Sequence, residues 1–157
     1  MLFRSGLIRR HLILEMFLVQ VLGYTWDRVH EEAEKLEHAV SDELIDRMAQ
    51  VLGFPSADPH GAPIPASGQA FVDRKYPTLD KLDVGCRAVL RRVRDEDPAA
   101  LRYLAELNMK PGAEVTLTDR GPFNGPLYIR VGDKDHIVSP ELAQSVQVET
   151  LQNTKRQ

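Results

Sequence analysis

Hydrophobic positions recur at helical spacing through the first 53 residues and alternate over short runs in the last 80 or so, and this change of period divides the chain. From about Ser5 to Leu22 apolar side chains fall nearly all round the helix, with Gly23 as the stop. A helix of that kind has to be covered on more than one side. A second helix is predicted from Thr25, its N-cap, to about Val40, with Asp27 in its first turn. Ser41 then caps a third helix, Asp42 to Leu52, closed by Gly53, with Leu44, Ile45, Met48, Val51 and Leu52 as its apolar stripe. Three helices in roughly 50 residues bury too little surface to be robust alone. The apolar first helix therefore needs a partner. A second copy in a homodimer is the simplest, and a neighbouring domain is the alternative.

Between residues 54 and 77 the texture changes. Pro55, Pro59, Pro63, Pro65 and Pro77 with Gly61 and Gly68 predict an extended linker. Beyond it, strands are expected at 85–93, 114–119, 126–131, 136–138 and 146–148, and a short helix from Pro98 to Glu106 with Asp97 as its N-cap. Turn residues such as Lys110-Pro111-Gly112, Asn124-Gly125 and Gly132-Asp133 separate them, which suggests a small β-barrel. The expected fold class is α+β: a small all-α domain at 1–53, a linker at 54–77, a β-barrel domain at 78–150 and a disordered tail at 151–157.

Composition narrows the function classes. A net charge of −3 carries no global basic bias, so any contact with DNA would need a local patch. The single cysteine, Cys86, excludes an internal disulfide and a thiolate-rich metal site, and is read as a small core residue. It fits a reducing cytoplasm. The longest apolar stretch, Leu12 to Leu22, is interrupted by Glu15 and Gln20 and falls short of the roughly 20 residues that span a bilayer, so no membrane partner is expected.

The chemistry is concentrated in two helices. His30, Glu34, Glu37 and His38 stand at offsets that spread them over one broad face of the second helix, and His11 and Glu15 are an i, i+4 pair on the first. Mixed imidazole and carboxylate donors suit Mn(II), Fe(II), Zn(II) and similar ions. A solvated charged face is the simpler explanation of any one pair, but Glu15 lies in an apolar run, where an unpartnered carboxylate is costly. Its partner is a metal, Arg10 or His11. Catalytic signatures fit less well. His30-Glu31-Glu32-Ala33-Glu34 begins like the zinc-protease motif and ends on a glutamate, and no Gly-rich phosphate loop or nucleophile elbow is present.

Arg9-Arg10-His11, Glu15, Val29-His30-Glu31-Glu32-Ala33, Leu36 to Glu43 and Pro59-His60-Gly61-Ala62-Pro63-Ile64-Pro65 together resemble the diphtheria toxin repressor family, the metal-dependent transcriptional repressors for iron and manganese. Asp95-Glu96-Asp97-Pro98 to Leu107, followed by Lys110-Pro111-Gly112, resembles that family's C-terminal SH3-like domain. The resemblance runs from about Gly6 to Glu149 and opens at what looks like the first helix of the metal-binding and dimerisation domain, without the winged helix-turn-helix that precedes it in the family.

The resemblance implies two metal sites. Glu34, Glu37 and His38 correspond to a primary site that the family completes from its helix-turn-helix segment. His11, Glu15 and His30 correspond to an ancillary site, with Asp97 at the position of the SH3-like domain's carboxylate ligand, where a helix cap is an equal alternative. Ala100, at the position of a glutamine ligand in some iron-type members, cannot ligate. Glutamate rather than cysteine at position 34 favours Mn(II), with Fe(II) or another divalent transition metal as the alternative. His60 and His136 are read as non-ligands. The function implied is a metal-dependent, non-enzymatic regulator of metal homeostasis, homodimeric, reaching operator DNA only through the family's N-terminal domain or a full-length partner. An accessory module that pairs with a full-length regulator is the second reading, and a metalloenzyme, for which no residue names a substrate, the last.

Overall fold

The computed structural model describes residues 2–72 and 75–151, and the side chains from residue 6. Five helices and five strands follow in the order α1 Leu2–Gln20, α2 Val29–Leu36, α3 Asp42–Val51, β1 Arg87–Val93, α4 Pro98–Glu106, β2 Glu114–Arg120, β3 Leu127–Val131, β4 Lys134–Val138, α5 Pro140–Ala143 and β5 Val146–Thr150, with a single 3-10 turn at Leu79–Lys81. The expected tail falls mostly on 152–157, outside the described residues. No helix among the described residues is long and apolar enough to cross a membrane.

The chain divides into two compact units. One is Met1–Arg74 with Asp95–Leu101, and the other is Lys75–Arg94 with Arg102–Gln157. The short segment at Asp95, expected inside the barrel domain, therefore groups with the helices.

In the first unit α1 packs on α2 and α3 around Ile13, Leu14, Leu18, Val29, Ala33, Ile45 and Ala49, all buried. The ends of α3 follow from local chemistry. The Ser41 hydroxyl accepts from the Leu44 amide at 3.1 Å, which satisfies one of the donors that a helix start leaves open. At the other end the Phe54 amide bonds the Ala49 carbonyl and the Gly53 amide bonds that of Gln50. This closure needs a left-handed residue, and Gly53 supplies it at φ +76°. Arg9 to Asp46 at 2.9 Å and Arg10 to Asp42 at 2.8 Å tie α1 to α3. Arg10 is thereby removed as a partner for Glu15.

Two expectations change here. Thr25 does not cap α2 with its side chain. Its carbonyl accepts from Arg28 and Val29 in a turn that leads into the helix, and the cap position is Arg28, with no side-chain bond. The helix is also shorter than expected, because Ala39 and Val40 both bond back to the Leu36 carbonyl in a tightened last turn.

The proline-rich stretch is not an extended linker in its first half. Asp58 Oδ1 accepts from the amides of His60 at 3.0 Å and Ala62 at 2.7 Å. The Asp58 amide bonds the Ala62 carbonyl, and the Gly61 amide bonds that of Asp58. Asp58, His60 and Ala62 are buried. A carboxylate that closes a turn on its own following amides lets a polar backbone go inside.

The second unit is a five-stranded antiparallel sheet in the order β4-β3-β2-β1-β5, the SH3-like part of an α+β chain. Alternation places Ala88 and Leu90, Val115 and Leu117, Leu127 and Ile129, and Val146 and Val148 on the buried face. The register pairs Leu117 with Ile129 and Leu90 with Val148. Cys86 is half-buried just ahead of β1 rather than in the core. Ser139 caps α5 through the Leu142 amide at 3.1 Å, as Ser41 caps α3.

Removing either hydroxyl isolates one unit's cap. Ser41→Ala and Ser139→Ala are each expected to lower stability by about 1 kcal/mol in urea unfolding. A change near zero in either would mean that water replaces that cap without cost.

Candidate metal centre

Glu15 is fully buried on α1, one turn after His11, and neither of its oxygens has a hydrogen-bond partner among the described residues. Its Oε2 faces three imidazoles: His11 Nε2 at 3.4 Å, His30 Nδ1 at 3.4 Å and His60 Nδ1 at 3.7 Å. Asp95 Oδ2 lies 3.0 Å from His30 Nδ1 and 3.8 Å from His60 Nδ1. Asp58 Oδ2 lies 3.5 Å from the same nitrogen of His60. Two overlapping sets result, His11, Glu15, His30 and Asp95, and Glu15, Asp58, His60 and Asp95. Within each set the donor atoms are all within 4.8 Å of one another.

Each imidazole is held from behind. His11 Nδ1 bonds Glu37 Oε2 at 2.5 Å, His30 Nε2 meets Glu34 Oε1 at 2.8 Å, and His60 Nε2 bonds the Trp26 carbonyl at 2.9 Å. In all three rings the outer nitrogen is engaged and the inner one faces the carboxylates, with His11 Nε2 and His30 Nδ1 also bonded to one another at 3.1 Å. Outer partners of this kind orient a ring and fix which nitrogen keeps its lone pair.

Electrostatics follow the same plan. His30 is raised to about 9, first by its contact with Glu15, against the effect of burial, and then by the charges of Asp95, Glu15 and Glu34. For His11 burial opposes the charged ring, but Glu15 and then Glu37 outweigh it and bring the pKa to about 8. Burial pulls His60 down, and Asp58 and Glu15 push it above its ordinary value. Burial would raise Glu15, but the facing His11 and His30 hold it well below the carboxylate range. Asp58 is pushed up to about 7 by burial and by the neighbouring Glu15. Cationic imidazoles thus neutralise the buried carboxylates, and a divalent cation would do so in their place.

The residues fit such an ion. Among the described residues, the buried side-chain atoms without a hydrogen-bond partner are Arg9 Nε, both Glu15 oxygens, Asp58 Oδ2 and His60 Nδ1. All but the first belong to Glu15, Asp58 and His60, which form one cluster. Unsatisfied buried polar atoms are costly, and imidazole with carboxylate is the donor set of Mn(II), Fe(II) and Zn(II).

The sequence-predicted residues separate in this geometry. His11, Glu15 and His30 meet at the cluster. Glu34 and Glu37 stand behind the rings and line, with His11, His30, Leu7, Ile8 and Leu12, an outer cavity of about 260 Å³. His38 is largely exposed and lies 3.4 Å from Glu37. Asp97 spends Oδ1 on the amides of Ala99 and Ala100 as the cap of α4, and the carboxylate that enters the cluster is Asp95, two residues earlier. Asp58 and His60, absent from the expected site, are part of it. The one sequence signal for them is a His and an Asp two apart inside a proline-rich segment that turns out to be buried.

Residues 5–66 match the family described as iron dependent repressor, metal binding and dimerisation domain, and residues 78–150 match the FeoA domain family. A solved structure titled "Manganese-dependent transcriptional repressor complex with manganese" is 37% identical, with a TM-score of 0.89 over 94% of this chain and 70% of that one. The chain belongs to the diphtheria toxin repressor family of metal-dependent transcriptional repressors. The iron-dependent repressor IdeR of Mycobacterium tuberculosis is 29% identical over 158 residues, 93% of this chain and 68% of its own length. The diphtheria toxin repressor of Corynebacterium diphtheriae is 27% identical over 158 residues, 94% of this chain and 68% of its own. The family is made up of transcriptional repressors, which are not enzymes.

The pKa pattern has a sign that can be checked in the chelator-treated chain. For His11 and His30 the folded values, about 8 and about 9, lie above the ordinary 6.5. Their contribution to stability is fully present below 6.5 and is lost as pH rises through 8 to 9. Asp58, raised to about 7, acts in the same direction over a lower range, while Glu15 stays charged throughout. The midpoint of denaturant unfolding should therefore fall between pH 6.5 and 9. In Glu15→Gln the fall should be largely gone.

Proposed function

We propose that this chain is the metal-sensing and pairing part of a metal-dependent transcriptional regulator, and that it binds a divalent transition metal, manganese in preference to iron, through Glu15. The observation that carries this reading is the convergence of three inward imidazole nitrogens on a buried carboxylate with no hydrogen-bond partner. His11, Glu15, His30 and Asp95 would hold the ion on one side, and Glu15, Asp58, His60 and Asp95 on the other, with Glu15 and Asp95 common to both. The bound ion would supply the positive charge that the protonated imidazoles otherwise provide. The oxygen-rich donor set, without a thiolate, supports Mn(II) over softer ions.

Glu34, Glu37 and His38 are proposed as an outer, primary set. Glu34 and His38 are exposed on the far side of the rings with Glu37 half-buried between them, and the resemblance to the family has the set completed by residues from its helix-turn-helix part. Asp97, occupied as a cap, is the weaker candidate of the two aspartates, and Asp95 takes its place in the proposal. Operator contact would fall to the winged helix-turn-helix that the family carries, in the same polypeptide or in a paired one.

Pairing is supported by the description of the matched domain as a dimerisation domain and by apolar side chains left exposed after α1, Val21, Leu22 and Tyr24. Leu22→Asp with Val21→Asp is expected to convert a dimer to a monomer in sedimentation equilibrium while the helical circular dichroism is kept. A dimer that survives the change would move the interface elsewhere.

Isothermal titration should show Mn(II) uptake that Glu15→Ala abolishes and that His11→Ala and His60→Ala each weaken. Ligation requires the raised His11 and His30 to release their protons, so affinity should climb with pH up to about 9. The proton release should appear as a heat that depends on the ionisation enthalpy of the buffer. A wild-type chain that takes up no divalent metal, or a Glu15→Ala variant that titrates as the wild type does, would overturn the proposal.

A further inference from the structure

Trp26, the only tryptophan of the chain, is joined to the turn that carries His60 by two hydrogen bonds running in opposite directions. Its indole Nε1–H donates to the Pro59 carbonyl at 2.7 Å. Its own carbonyl accepts from His60 Nε2 at 2.9 Å. The indole also lies against the imidazole, with ring centroids 5.4 Å apart and planes inclined by 32°. Tryptophan and histidine are both buried, so water does not compete readily for either bond.

This fixes which nitrogen of His60 carries the hydrogen. A carbonyl oxygen only accepts, so Nε2 must donate. In the neutral ring the lone pair is then left on Nδ1. That atom is buried without a hydrogen-bond partner, 3.5 Å from Asp58 Oδ2, 3.7 Å from Glu15 Oε2 and 3.8 Å from Asp95 Oδ2. The turn itself is closed by Asp58 Oδ1 on the amides of His60 and Ala62, which shapes its backbone but does not set the rotation of the ring. His11 and His30 take their outer partners from carboxylates of α2 and its C-cap, whereas His60 takes its own from the backbone carbonyl of the residue whose indole bonds Pro59.

We infer that Trp26 is a positioning residue for the metal cluster: by gripping Pro59 through its indole N–H and His60 through its carbonyl, it sets the orientation and tautomer of His60 and presents Nδ1 as a ligand atom. The consequence for affinity rests on the metal reading above. The consequence for the tautomer does not.

The test compares the full chain with Trp26→Phe, which keeps an aromatic ring and removes the N–H donor. Long-range proton–nitrogen NMR of the chelator-treated protein, at a pH where the rings are neutral, should show His60 wholly as the Nε2–H tautomer in the wild type. In the variant it should become a mixture, with His11 and His30 unchanged. Mn(II) affinity should fall by about tenfold or more in Trp26→Phe, as is usual when an outer partner of a ligand is lost. In a His60→Ala background the same substitution should cost nothing further, because it acts through His60. An Nδ1–H tautomer in the wild type, an unaltered tautomer in the variant, or additive losses in the double variant would overturn the inference. A wild type that binds no Mn(II) would overturn the metal reading alone, and the tautomer comparison would still decide the role of Trp26. Should Trp26→Phe fail to fold, replacing the single tryptophan with its benzothienyl isostere removes the same donor at nearly constant shape, and the same outcomes apply.

Discussion

One buried carboxylate organises the helical unit. Glu15 sits in the apolar face of α1 among Leu12, Ile13, Leu14 and Leu18, all almost without exposure. Taking a charge out of water costs several kcal/mol even after relaxation, and among the described residues nothing donates a hydrogen bond to it. The surroundings answer with cationic imidazoles from three separate segments, α1, α2 and the turn after Pro59. The packing of α1 against α2, and the folding of the proline-rich stretch onto them, are therefore coupled to the state of one side chain. A divalent ion and a set of protons are competing ways to meet the same need.

The outer partners are as much a part of this as the inner donors. Glu37 behind His11, Glu34 behind His30 and the Trp26 carbonyl behind His60 each occupy a nitrogen that would otherwise be free to rotate inward. Two of the three are carboxylates on the same helix face, so α2 serves both as a wall of the cluster and as a lining of the cavity on its far side. A change of charge in that cavity reaches the cluster through two imidazoles, His11 and His30.

Much of this was legible in the sequence, for identifiable reasons. Helical and alternating periods separate cleanly at the proline-rich stretch. Ser41 and Asp97 announce helix starts by residue type alone. Glu15 could be found because an acidic residue in an apolar run demands a partner, with His11 one turn before it, whereas grouping His30 with them came from the family resemblance. Asp95 had no local signal: the aspartate next to Pro98 has the appearance of the important one, but it is consumed by the cap. Thr25 looked like a cap because the residue type is right, and only the course of the backbone shows that its carbonyl is used instead. Asp58 and His60 were hidden for a different reason. Proline and glycine report an irregular backbone and say nothing of whether it is exposed, and the turn's partner, Trp26, is more than 30 residues away.

The closed turn from Asp58 to Ala62 also bears on time rather than on affinity. Its two side-chain bonds and two backbone bonds are made within five residues, and the flanking prolines restrict what the segment can do when unfolded. If His60 ligates as proposed, its ligand atom is carried on a closed turn and is in place before an ion arrives. An ion seated against it would leave only as fast as the turn lifts from the helices. Residence time would then be governed by local opening of a few residues, and a sensor built this way could respond to falling metal at a rate set by the protein rather than by diffusion.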